Sequence, residues 1–161
     1  ADLYGIELHG RKQFFELGGF LGGFGVEGSL TLQDSKADSG LAGRGKTALP
    51  RAPGVIYNAE LFYERPSFSA RLAWQYVGRQ LLSLNDQLDT YLQPNRQLNF
   101  NTTYRFGKWS LSGQVQNILN QESFYKTMGK TTRYLGTQDG GGNGSYVETG
   151  RFFKLTASFA W

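Results

Sequence analysis

The sequence predicts an all-β fold, and more narrowly the antiparallel strands of a transmembrane β-barrel. Three observations predict it. Apolar and polar residues alternate at period two over long stretches. The connections between these stretches alternate between short and long. Aromatic residues gather toward the two ends of the apolar faces, with small and aliphatic residues between them. Composition agrees. Aromatics make up 15% and Gly accounts for 22 of 161 residues, yet mean hydropathy is only −0.43. A strand set with one face toward lipid and the other toward water has this mixture.

The strands follow in order, each with successive side chains on opposite faces. Tyr4, Ile6 and Leu8 alternate with Gly5, Glu7 and His9. Phe24, Val26, Gly28, Leu30 and Leu32 alternate with Glu27, Ser29, Thr31 and Gln33. Val55, Tyr57, Ala59, Leu61 and Tyr63 alternate with Asn58, Glu60 and Glu64, although Ile56 and Phe62 blur that polar face. Phe68, Ala70, Leu72, Trp74 and Tyr76 alternate with Ser67, Ser69, Arg71 and Gln75. Leu98, Phe100, Thr102, Tyr104 and Phe106 alternate with Asn99, Asn101, Thr103 and Arg105. Trp109, Leu111, Gly113 and Val115 alternate with Ser110, Ser112, Gln114 and Gln116. At the end, Phe153, Leu155, Ala157, Phe159 and Trp161 alternate with Phe152, Lys154, Thr156, Ser158 and Ala160. These seven strands mostly have the ~9–12 residues that a tilted membrane strand needs.

Glu64-Arg65-Pro66-Ser67 and Phe106-Gly107-Lys108 read as tight turns, and Glu16 to Gly23 as a moderate one. Long links run from Asp34 to Gly54, from Arg79 to Gln97 and from about Thr127 to Thr149. A soluble β-sandwich also alternates, with its apolar face inward, but has no reason to gather every long link at one end. With the tight turns taken as periplasmic, Tyr63, Phe68, Tyr104, Phe106, Trp109, Phe159 and Trp161 fall near that boundary. Tyr57, Trp74, Tyr76 and Phe153 fall near the other. Single-chain bacterial barrels have even strand numbers, and lipid cannot satisfy open edges. The remaining strands are therefore expected upstream or in another chain. Parity places the start of the chain outside the cell and Trp161 in the periplasm. No signal peptide opens the chain, and Ala1 leads at once into strand-like sequence, as in a mature or cut fragment.

Little in the sequence points to catalysis. There is no Cys, which removes thiolate nucleophiles, disulfides and zinc-thiolate sites. His9 is the only His and lies on a polar face beside Glu7. One such pair falls short of the three or four ligands of a metal site, so no metal or cofactor is expected. No Gly-x-Ser-x-Gly or His-Glu-x-x-His pattern occurs. The net charge of +4 comes from dispersed Lys and Arg, which argues against nucleic acid. Gly140-Gly141-Gly142-Asn143-Gly144 has no Lys-bearing helix after it, so it reads as a flexible loop tip and not a phosphate cradle.

Five segments in order resemble the C-terminal barrel region of TonB-dependent outer-membrane receptors. They are Tyr4-Gly5-Ile6-Glu7, Leu49-Pro50-Arg51-Ala52-Pro53, Phe68-Ser69-Ala70-Arg71-Leu72, Asn117-Ile118-Leu119-Asn120 and Glu148-Thr149-Gly150-Arg151 with the alternation that follows it. The fourth is similar to an Asn-Leu-Thr-Asn/Asp signature, with Ile and Leu in place of Leu and Thr. The terminal aromatic Trp161 resembles the signal read by the barrel-assembly machinery, although Thr156 stands where a small Gly is usual. The resemblance covers nearly the whole chain, 1–161, as the last seven strands of a barrel of about 22, a size at which the lumen holds a plug. It implies a bacterial outer-membrane active transporter, not an enzyme. Its partners would be its own N-terminal plug and upstream strands, the TonB complex acting through the plug, outer-membrane lipid and a small-molecule ligand. A ferric siderophore is the leading cargo. A carbohydrate, cobalamin or haem receptor, or a passive porin-type barrel, stands as the alternative.

Ligand candidates lie in the long links and the upper lumen. In the links they are Asp38, Arg44, Lys46, Gln87, Asp89, Tyr91, Arg133, Tyr134, Gln138 and Asp139. In the upper lumen they are Gln33, Asn58, Gln75, Arg79, Asn99, Gln114 and Gln116. Arg and Lys suit an anionic chelate; amides and aromatics suit a carbohydrate. Glu7, Glu64, Arg71 and Arg105 are expected to face the plug, since buried charges there need partners.

Overall fold

A computed structural model of the chain describes residues 1–43, 45–84, 89–128 and 141–161. Among these residues the fold is all-β and every strand pairing is antiparallel. The long strands are β1 (Asp2–Gln13), β2 (Phe24–Asp38), β4 (Val55–Arg65), β5 (Phe68–Val77), β8 (Asn95–Phe106), β9 (Trp109–Gln116) and β12 (Phe152–Phe159). They form one meander in the order β1-β2-β4-β5-β8-β9-β12, with β1 and β12 at its two edges. A short β3 (Lys46–Thr47) pairs with the end of β2. These seven are the strands that the period-two pattern gives.

Turn chemistry fixes the registers. Pro66 and Ser67 close the β4–β5 hairpin, with Arg65 opposite Phe68; Pro suits the second position of a β-turn because its φ is preset. Gly107 takes φ 57° in the two-residue turn that sets Phe106 opposite Trp109, a conformation that only Gly adopts without strain. Counting back from these turns aligns all the apolar residues across the sheet. Ile6 lies opposite Leu32, Leu32 opposite Val55, Leu61 opposite Leu72, Leu72 opposite Phe100, Tyr104 opposite Leu111, and Leu111 opposite Ala157.

Among the described residues no second layer covers this apolar face. Ile6 is 66% exposed and Leu155 74%, and Leu61, Leu72, Tyr104, Trp109 and Phe159 are also exposed. The fully buried large side chain among the described residues is Phe62, at 1%, and it lies on the opposite, polar face. The sheet therefore does not build a two-layer core of the soluble kind.

The structure corrects the reading of the long links. The second and third contain strands β6 (Gln80–Ser83), β7 (Asp89–Leu92), β10 (Ser123–Met128) and β11 (Gly141–Val147), joined as a separate sheet in the order β11-β10-β7-β6. Gly141 to Gly144, expected as a flexible loop tip, belong to β11 and pair with β10. The β6–β7 and β10–β11 hairpins are joined by a pairing between links, β10 against β7, which local periodicity does not register. The first link is also tied down. Leu49 N–H donates to Ser35 Oγ (3.0 Å), Gln33 Nε2 donates to the Pro53 carbonyl (2.7 Å), and Arg51 N–H donates to the Leu81 carbonyl.

Candidate functional site

The polar face of the meander carries the charged residues. Its centre is Phe62, directly opposite Arg71 on β5 and Gly25 on β2. A Cβ at residue 25 would overlap the Phe62 ring, so Gly25 provides the space for it. The Arg11 and Arg71 guanidiniums lie over the ring, 4.6 and 5.7 Å from its centroid. Cations favour this position because the ring face is negative.

The same two arginines hold three carboxylates. Arg71 donates to Glu60 Oε1 (2.9 Å) and to Glu64, which flank Phe62 on β4 and so sit diagonally from Arg71 across the hairpin. Arg11 reaches Glu64 Oε2 (3.0 Å) and Glu27 Oε2 (3.7 Å). His9 Nε2 lies 3.2 Å from Glu27 Oε1; its carboxylate neighbour is thus on the adjacent strand, whereas the sequence pairs it with Glu7. Five strand-to-strand links of this kind bind β1, β2, β4 and β5 into one charged cluster. These side chains are partly exposed, so solvent screens each pair and the value lies in the network and its geometry.

Glu64 and Arg71, expected to face a plug, find charge partners on their own sheet. Arg105 lies apart from the cluster, exposed, and with Glu64, Arg65, Ser69 and Arg71 it lines a recess of about 540 Å³ beside the β4–β5 turn. Glu7 lies opposite Thr31 near the β1 edge and is exposed.

Toward the long links the polar face holds amides. His9, Glu27, Ser29, Asn58, Glu60, Gln75 and Asn99 line a trough of about 310 Å³. Asn58 lies opposite both Ser29 and Gln75 and donates to Ser29 Oγ (3.0 Å). The structure thus brings Asn58, Gln75 and Asn99 together among the upper-lumen candidates. Gln114 lies opposite Asn101, which lies opposite Arg71, so it shares their rung and not that of Gln75. Gln116 pairs with Phe152 at the end of β9. Gln33 is held by Pro53 as described.

Among the link candidates, the Arg79 guanidinium lies 5.1 Å from the Tyr91 ring centroid. Asp89 is buried within the second sheet. Lys46 is exposed on β3, opposite Asp38. Arg44, Gln87, Arg133, Tyr134, Gln138 and Asp139 lie outside the described residues.

Sequence reasoning missed the roles of Phe62, Glu27 and Asn117. The first two were legible from hairpin register, which sets Phe62 against Arg71. Asn117 is 5% exposed and pins the start of the third link. It donates to the Gln121 carbonyl (3.1 Å) and the Gly150 carbonyl (3.0 Å), accepts from Gln121 N–H (2.8 Å), and its own N–H donates to Asn99 Oδ1 (2.9 Å). Its φ of 52° is one that Asn tolerates better than most residues. Arg151 Nε adds a bond to the Ile118 carbonyl (2.8 Å). The Asn117–Asn120 motif is therefore a structural clasp joining β9 to β12.

The sheet defines a class, an antiparallel meander with one uncovered apolar face and one charged polar face. Comparison of the chain with protein-family models, curated proteins and solved structures finds no match in any of the three.

Proposed function

We propose that this chain is the C-terminal wall of a TonB-dependent receptor in the bacterial outer membrane, a gated importer of a scarce nutrient such as a ferric siderophore. One observation carries the reading. Seven registered strands hold most of their large apolar side chains on a face that nothing among the described residues covers, while charge and amides occupy most of the other face. Left in water, such a face would be a large aggregation-prone patch; acyl chains cover it at no cost, and the polar face then lines an interior. The free edges of β1 and β12 are satisfied by further strands of a closed barrel, since lipid offers no hydrogen bonds. The aromatic residues support this. Phe24, Tyr63, Phe68, Tyr104, Phe106, Trp109 and Phe159 form a band at the tight-turn end, with Phe24–Tyr63 and Trp109–Phe159 centroids both 4.9 Å apart. Tyr57 and Tyr76 stack at 4.7 Å toward the other end. Bands of this kind mark membrane–water boundaries.

In this reading the long links face outward and present Arg79, Tyr91 and the second sheet to cargo. The trough at Asn58, Gln75 and Asn99 continues the path inward. The test is growth of a strain lacking the complete protein on limiting iron or carbon sources, with and without a functional TonB complex. Loss of growth on one source in both mutants is the expected result. A defect that ignores TonB points to a passive pore and overturns the gated-importer reading.

A further inference from the structure

We propose that residues 14–23, the turn joining β1 to β2, form an interfacial anchor that rests on the bilayer surface, with Phe15, Leu17, Phe20 and Leu21 among the phospholipid glycerol and upper acyl groups. The proposal rests on the membrane reading above and adds a lipid contact outside the strands. A turn facing water is normally built from Gly, Pro, Asn, Asp and Ser. This one reads Phe-Phe-Glu-Leu-Gly-Gly-Phe-Leu-Gly-Gly. Leu17 is 58% exposed and Phe20 68%, so both keep most of their surface open to the surroundings.

The exposure is built into a defined conformation. Two short 3-10 turns, Phe15–Leu17 and Leu21–Gly23, shape the segment. Gly22 N–H donates to the Gly18 carbonyl (2.8 Å), Leu17 N–H to the Phe14 carbonyl (3.0 Å), and Phe14 N–H to the Phe24 carbonyl (2.9 Å). The Arg65 guanidinium binds the Gly19 carbonyl and ties the turn to the end of β4.

Continuity with the apolar face identifies lipid as the occupant. The Phe20 ring lies 5.6 Å from Phe24 and 5.0 Å from Tyr63, centroid to centroid. Both belong to the lipid-facing aromatic band, so the turn extends that surface. Glu16 is the one ionisable group in the segment, and Lys12 Nζ lies 2.8 Å from it. The Lys12 ammonium holds the Glu16 carboxyl below the usual carboxylate range, so the segment brings no uncompensated charge to the boundary. Lys12 lies opposite Val26 at the end of the apolar face, so a neutralised pair accompanies the apolar groups, as suits an element lying in the interface.

The chain has no Cys, so once any Cys elsewhere in the complete protein is replaced by Ser, each introduced thiol is a single labelling site. Leu17→Cys, Phe20→Cys, Leu72→Cys and Ser112→Cys are made in the complete protein, labelled with an environment-sensitive nitrobenzoxadiazole dye and reconstituted in phosphatidylethanolamine–phosphatidylglycerol vesicles. Nitroxides placed shallow or deep on the lipid, and aqueous iodide, serve as quenchers. The anchor predicts that labels at Leu17 and Phe20 respond most to the shallow nitroxide and little to iodide. Leu72 should respond most to the deep nitroxide, and Ser112 to iodide. If Leu72 is quenched by lipid while Leu17 and Phe20 are quenched only by iodide, the anchor is overturned and the barrel stands. Shielding of Leu17 and Phe20 from every quencher means that a protein covers the turn, which also overturns it. Quenching of Leu72 by iodide alone removes the membrane reading and the anchor together.

Discussion

Removing the Phe62 ring tests the polar-face cluster. The side chain is fully buried, with Gly25 beneath it and the guanidiniums of Arg11 and Arg71 above. Truncating a buried Phe to Ala costs about 3–5 kcal/mol in a closed core. Here one side of the cavity is formed by two flexible side chains, themselves 44% and 38% exposed, so they can settle partly into the gap. The lower end applies, about 3 kcal/mol. Each lost cation–π contact adds about 0.5–1 kcal/mol, at the exposed end of its range. Phe62→Ala should therefore destabilise by about 4–5 kcal/mol, and Phe62→Leu by about 1–1.5 kcal/mol, as a shape change that keeps most of the volume. The assay is reversible urea unfolding of the complete protein in lipid vesicles, followed by tryptophan emission. A loss below about 0.5 kcal/mol for Phe62→Ala, the size of an ordinary surface change, would refute the claim that the ring is the packed centre of this face.

Two further perturbations probe the faces and the clasp. Leu72→Arg and Leu111→Arg place charge on the apolar face and should each cost about 2–4 kcal/mol if central in the bilayer. Ser69→Arg and Ser112→Arg, on the polar face of the same two strands, should cost far less; equal losses by the same urea assay would mean the facing is misassigned. Asn117→Ala removes three side-chain hydrogen bonds and leaves the Gly150 carbonyl unpartnered, a loss of about 2–3 kcal/mol. Asn117→Gly relieves the positive φ but not the lost bonds, so it should recover at most about 1 kcal/mol; full recovery in unfolding experiments would mean that backbone strain, not hydrogen bonding, explains the residue.

The seven long strands were legible because a face in constant contact with one environment imposes strict alternation, as Leu98 to Phe106 shows. Pro66 and Gly107 then fixed two hairpins, and hence much of the register. The second sheet was not legible. Gln80–Ser83 sets two leucines side by side, and Gly141–Val147 opens with Gly-rich sequence that reads as a flexible tip; each pairs with its neighbour in the chain, and the two hairpins are joined into one sheet by β10 against β7. For the polar face, residue types were readable but pairings were not. Arg71 is expected to face a plug, and the sequence alone does not show that Glu60 and Glu64 lie diagonally across its own hairpin. Phe62 read as an irregularity because alternation treats an aromatic on a polar face as noise, whereas two cations and a glycine make a site for it. The ligand candidates in the third link fall largely outside the described residues, and the amides at Asn58, Gln75 and Asn99 come together through register across three strands.

A residue-by-residue spin-label scan along β5, from Phe68 to Val77, in the reconstituted complete protein addresses the facing of the sheet without an energetic model. Collision rates with oxygen, which concentrates in acyl chains, and with a nickel chelate, which stays in water, are measured at each position. Oxygen accessibility should peak at Phe68, Ala70, Leu72, Trp74 and Tyr76, and nickel accessibility at Ser69, Arg71, Ala73 and Gln75. Two profiles that rise and fall together, or an oxygen profile with no period of two, would contradict the assignment of the apolar face to lipid.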